Sequence, residues 1–331
     1  LHRQGFQITL TQAGRDVSGL AWLLEGWVAI AIAGALGARW PSRAATAAVV
    51  WLLPAQAMVG SMVYNETVTD LGVGLVVLGV TLWARNQSWG LVWLGLGLPL
   101  AGLAKYSGLD ALVIAVPLAI AVRPDRWTLT VLALLPGGAL TAAYYIRNLI
   151  ALGTPLPLNA DIFDLKNWDP IRWGHPSGYF TNLSLAGCAA PDSFVGGFWK
   201  WFWGIDCSFQ NLPSGPWSEQ LPAWLVVVGG ATSLFVLAAT VLAVIGVRRE
   251  PATILLTAIP MLTMIAFIYF NLRVPSATTD KGLYLLPALI PMAVAAGLLL
   301  DRLTPGSWVR LGYAAVMTWA MAMAAVSGVG P

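Results

Sequence analysis

Long apolar runs alternate with short polar breaks along this chain, and ten of the runs approach the length of a membrane span. A span needs about 20 mostly apolar residues, within a range of about 17–25. Such runs cover about 17–37, 44–63, 67–84, 88–104, 107–122, 127–150, 222–246, 252–271, 283–300 and 307–327. The fourth and fifth are short, which predicts helices that are tilted, broken or packed deep in a bundle. Residues 152–221 form the one long polar segment. The expected fold is an all-α polytopic membrane protein with about ten transmembrane helices and one large outer loop between the sixth and seventh. It divides into residues 1–151, a six-span N-terminal membrane bundle; 152–221, the extracytoplasmic loop region; and 222–331, four C-terminal spans.

Composition agrees. Of 331 residues, 58% are hydrophobic and only 10% charged, against about 25% charged in soluble domains. A net charge of +3 with no basic run gives no reason to expect a nucleic-acid partner. The arginines set the orientation. Alternate breaks hold Arg39 and Arg43, Arg85, Arg123 and Arg126, Arg248 and Arg249, then Arg302 and Arg310; the opposite short breaks hold only Lys105, Arg273 and Lys281. The positive-inside rule makes the first set cytoplasmic and puts the long loop outside. The chain therefore reads as integral to a membrane, the bacterial inner (plasma) membrane, with the large loop outside the cytoplasm. Its first residues, "LHRQGFQITLTQAGRD", are polar and start on Leu1, so an upstream segment is expected before them.

The outer loop holds "GGFWKWFWGIDC", residues 196–207. Trp199, Trp201 and Trp203 are rings that favour the water–lipid boundary, and Lys200 among them can snorkel to headgroups. An interfacial anchor is the simpler reading; a platform for a lipid-linked or sugar substrate is the sharper one. Both cysteines, Cys188 and Cys207, lie in this loop. Outside an exporting cell thiols tend to pair, and a bridge here would contribute about 3 kcal/mol by loop entropy. A disulfide is expected, with two separate buried thiols as the alternative. Two cysteines and His175 lack zinc-site spacing, so no metal site is assigned.

Ionisable groups near a bilayer are costly and usually functional. Glu25 falls in the outer half of the first run, Glu66 and Asp70 at the outer start of the third, and Lys105 and Asp110 about the turn between the fourth and fifth. Arg147 lies at the outer end of the sixth, and Arg273, Asp280 and Lys281 precede the ninth. All share the outer boundary, and the set mixes both signs. Such a cluster can bind an anionic headgroup and hold a base, or it can be ion pairs tying helix ends together.

Several phrases, in order, resemble GT-C-type membrane glycosyltransferases, the superfamily of protein mannosyltransferase and aminoarabinose transferase-like enzymes. These are "MVYNETVTDLGVGLVVLG" (62–79), "GLAKYSGLDALVIAVPLAI" (102–120), "YYIRNLIALGTPLPLN" (144–159), "GGFWKWFWGIDCSFQNLP" (196–213) and "KGLYLLPALIPMAVAAGLLL" (281–300). The resemblance covers roughly residues 15–300 and implies an enzyme that moves sugar from a polyprenyl-phosphate carrier to an acceptor on the outer face. Glu66 matches the second acid of such enzymes and is the catalytic candidate. Lys105, Tyr106, Arg147, Asn148, Lys281 and Tyr284 are the implied substrate-binding residues. The chain departs at "KGLYLLP" (281–287), which lacks the arginine of a "GRYLLP" motif and has Lys281 as the nearby cation, and where the family's first span and acid-bearing outer loop would precede Leu1.

The leading expectation is thus such a transferase, with membrane lipid and a polyprenyl-phosphate sugar donor as partners. The alternative is a non-catalytic scaffold or accessory subunit bound to other membrane proteins. A transporter ranks last, because the charges gather at one boundary rather than at the midplane. No cofactor signature is present. Asp161, Asp164 and Asp169 offer ligands to a divalent cation, although loop solvation explains them more simply. "GLGLPLAG" (95–102) reads as a surface for close helix packing.

Overall fold

The computed structural model describes residues 2–60, 62, 64–157, 174–175, 177–183, 193–197, 236–242, 251–274 and 282–303. All regular structure among them is helical. The main helices are α1 (His2–Ala35), α2 (Trp40–Leu52), α3 (Pro54–Gly60), α4 (Glu66–Ala84), α5 (Trp89–Ala104), α6 (Gly108–Ala121), α7 (Trp127–Leu152), α8 (Leu255–Arg273) and α9 (Leu289–Arg302). Among the described residues, five stretches are long and apolar enough to cross a membrane: Thr9–Ala35, Glu66–Ala84, Pro124–Leu152, Leu255–Arg273 and Tyr284–Arg302. Helices α5 and α6 are apolar but shorter, as their sequence runs indicate.

Two boundaries differ from the sequence reading. The polar N-terminal stretch is not a separate lead-in, since α1 runs unbroken from His2. The run at 44–63 is not one helix. Leu53 is extended (φ −62°, ψ 123°) because a residue before proline is disfavoured in the α region, and the helix restarts at Pro54 as α3. The runs at 222–246 and 307–327 fall mostly or wholly outside the described residues.

Helix α4 is the centre of the bundle. Beyond its first turns it is apolar on nearly all sides, as a buried helix is, and among the described helices it packs most extensively on α5. The fit is backbone to backbone: a Cβ on Gly97 would meet the Gly72 carbonyl oxygen at 2.8 Å, and one on Gly72 would meet the Ala101 nitrogen at 2.3 Å. The glycine-rich stretch thus serves the close packing expected of it.

At one end of the bundle the helices are tied by polar contacts. Asp301 at the end of α9 accepts from the Arg39 backbone N–H at 2.6 Å and from Ser42 Oγ at 2.5 Å. Its carboxylate so caps the N-terminus of α2, where negative charge is favoured. Arg123, after α6, donates to Asn86 Oδ1 after α4 and lies 5.1 Å from the Trp83 ring. At the other end, α7 donates from the Tyr145 hydroxyl to the Gly102 carbonyl at 2.6 Å. It then stops at Gly153, whose left-handed φ of 74° suits glycine. The outer side of α7 leaves Leu132, Leu135, Leu140, Ile146 and Ile150 exposed, as a lipid-facing helix does.

Candidate functional site

The site is built where α4 begins. Glu66 and Asp70 stand four residues apart in its first turns, hence on one face. Their carboxyls also sit at the positive end of the helix dipole. Asn65 Nδ2 donates to the Ala104 carbonyl at 2.7 Å, which binds the start of α4 to the end of α5 and satisfies a terminal carbonyl of that helix. The next residue, Lys105, leaves the helix in an extended conformation (φ −156°, ψ 144°). Its ammonium donates to Glu66 Oε1, with the two side chains only 11% and 5% exposed. It also lies 4.3 Å from the Tyr284 ring centroid, a cation–π contact.

Helices α1 and α3 close the inner side. Glu25 and Gln56 are fully buried, and Gln56 Nε2 donates to Glu25 Oε2. Glu25 lies within electrostatic reach of Asp70, and Asp70 of Glu66 and Lys105. Ser18 Oγ donates to the Tyr64 carbonyl at 3.1 Å, holding α1 to the chain just before α4. The break at Pro54 matters here, because α3 carries Gln56 on a helix separate from α2.

Tyr284 links this polar centre to an aromatic shelf. Its ring lies 5.8 Å from Phe267 and 5.1 Å from Phe270, both on α8. Phe267 meets Phe194 at 5.2 Å, and Phe194 meets Phe180 at 5.4 Å. Tyr179 stacks on His175 at 4.0 Å with an interplanar angle of 3°. Parts of the long loop are therefore docked on α8 and on the turn that opens the ninth run. Ser193 Oγ holds the loop's own fold, donating to the Asn182 carbonyl and accepting from Gly196 N–H at 3.0 Å. His175 Nε2 donates to the Asn271 carbonyl at 3.0 Å. Burial holds the His175 pKa below its ordinary value, against the opposing pull of that hydrogen bond. Burial also pushes the Tyr106 hydroxyl up to about 12, with the charges of Glu66 and Asp110 adding to it.

Of the sequence candidates, Glu66, Lys105 and Tyr284 meet directly, and Tyr106 is close enough to feel Glu66. Arg147 does not join them: it is exposed on α7, while its neighbour Asn148 is buried. Lys281, Trp199, Lys200, Trp201, Trp203, Cys188 and Cys207 lie outside the described residues, as do Asp161, Asp164 and Asp169. Among the described residues no three His, Cys, Asp or Glu side chains are arranged to hold a metal ion. Gln56 went unrecognised in the sequence, although an amide within an apolar run is itself a signal. No protein family, curated protein or solved structure matches the chain.

Proposed function

We propose that the protein is a GT-C-like glycosyltransferase, moving a sugar from a polyprenyl-phosphate carrier to an acceptor at the outer face of a bacterial inner membrane. What supports this reading is the meeting of Glu66 and Lys105 from positions 39 apart in the chain, beside a shelf of aromatic residues from α8 and the loop. Glu66 takes the proton of the acceptor hydroxyl through Oε2, the oxygen that Lys105 leaves without a partner. The acceptor oxygen bonds to the sugar's anomeric carbon as the bond to the carrier phosphate breaks. Lys105 turns to the departing phosphate and stabilises its charge. Tyr106, Asn148 and Tyr284 shape the sugar side, and Arg147 and Lys281 meet the carrier's headgroup.

The test is transfer from a polyprenyl-phosphate sugar by the purified protein in lipid. Glu66→Gln should slow it by about 10²–10⁴-fold, the range for a lost general base. Unchanged transfer in that variant, or none from any such donor, overturns the proposal. The scaffold reading has its own support, since the Glu66–Lys105 pair is nearly closed to solvent and can serve as a helix tie alone. Stoichiometric co-purification with a fixed membrane partner, together with no transfer, would establish it.

A further inference from the structure

The carboxyls of α1 and α4 outnumber the cations that face them. Glu25, Glu66 and Asp70 are 0%, 4% and 1% exposed, and Gln56 between α1 and α4 is 0% exposed. The groups facing Asp70 are Glu25 from α1, Gln56 from α3, Glu66 from its own helix and Lys105 from the end of α5. Tyr106 and Asp110 lie beyond Glu66, and Tyr284 lies under Lys105. Lys105 is committed to Glu66 and reaches Asp70 only through space, which leaves Glu25 and Asp70 with no counter-charge of their own among the described residues. Burying an unpaired carboxylate costs several kcal/mol or more per ion, and such groups neutralise instead.

Hydrogen bonding leads to the same deficit independently. Among the described residues, Glu25 Oε1, Gln56 Oε1, Glu66 Oε2 and both Asp70 carboxyl oxygens are buried without a hydrogen-bonded partner, the Gln56 amide being the polar group that faces Asp70. Every one of these atoms is an acceptor. What the cluster lacks is donors. A metal ion would satisfy acceptors too, but no three of the described acids converge closely enough to cage one. A hydrogen on a carboxyl oxygen removes the charge and supplies the missing donor in one step.

We propose that Glu25 and Asp70 form a proton-binding site inside the bundle. Each carboxyl carries a proton and donates it to a neighbouring orphaned oxygen, the Gln56 carbonyl among them. Glu66 stays paired with Lys105. The proposal is independent of the transferase reading and survives its failure.

The test is infrared spectroscopy of the full chain in lipid at neutral pH, reading the C=O stretch of protonated carboxyls and its shift in D₂O. The wild type should show this band. Asp70→Asn should lose one component and Glu25→Gln another, while Asp110→Asn leaves both in place. Because neutral amides mimic the protonated acids, both variants should also keep the wild-type melting temperature. A missing band, or one that neither variant changes, overturns the proposal. So does a wild type stabilised by Na⁺, Mg²⁺ or Ca²⁺ when Asp70→Asn is not, since the cluster would then be holding a metal ion. Should Asp70→Asn fail to fold, Glu25→Gln with the cation titration of the wild type decides alone.

Discussion

The Lys105 ammonium bonds the Glu66 carboxylate and lies 4.3 Å from the centroid of the Tyr284 ring. One cation thereby joins the start of α4, the end of α5 and the turn before α9. Because the pair is nearly buried, its halves are worth far more together than apart.

Lys105→Ala should destabilise the protein by about 3–5 kcal/mol, the cost of stranding a buried charge. Pairing it with Glu66→Gln should recover much of that loss. A double-mutant cycle on unfolding in detergent checks this, and additive losses would mean that the two groups do not act on each other.

A second expectation concerns the α4–α5 contact. A Cβ on Gly72 would lie 2.3 Å from the Ala101 nitrogen, so backbone must move to admit it. Gly72→Ala should cost at least the roughly 1–3 kcal/mol of overpacking. Gly138, where a Cβ would meet nothing within 4 Å, is the control, and Gly138→Ala should be neutral or slightly stabilising. Melting temperatures of the two variants decide.

Acid should loosen the docked loop. The folded His175 pKa is lowered from its ordinary 6.5, so the undocked state binds the proton more readily. The contribution to docking is present above about 6.5 and is lost as pH falls from there through the lowered value of the docked state. Hydrogen exchange over residues 177–183 should quicken in this window, and His175→Phe should abolish the pH dependence while keeping a ring against Tyr179.

At the opposite end, Asp301→Ala removes two charge-assisted hydrogen bonds from α2. A loss of about 1–3 kcal/mol is expected. Ser42→Ala should cost less, because the cap on the Arg39 N–H survives. Chemical unfolding of the two variants measures the difference.

Helix α4, α7 and the short α5 and α6 were legible because each apolar run ends in a polar turn. The meeting of Glu66 with Lys105 was half legible: both lie at helix ends on one boundary, although their pairing needed the α4–α5 contact. Arg147 shows what was not. Helix α7 is apolar nearly all round, so its sequence does not reveal which side meets lipid, and Arg147 falls outward where Asn148 falls inward. The contact between Glu25 and Gln56 was hidden for a related reason, since it depends on how α1 is rotated and on where α3 restarts. The polar start of α1 misled because helix, once nucleated, propagates through polar residues until a breaker stops it.

The glycine seam between α4 and α5 has a mechanical consequence. Where main chains touch with no side chains as padding, there are no rotamers to absorb sliding, and the two helices behave as one stiff plate. Glu66 stands on the edge of that plate and Lys105 ends it, so backbone flexing can do little to part them. Any opening of the pair must come from the side-chain torsions of Glu66 and Lys105, or from withdrawal of Tyr284 beside it. The loop rings that grip Tyr284 through Phe267 therefore hold the lever on the site, while the helices that carry it stand still.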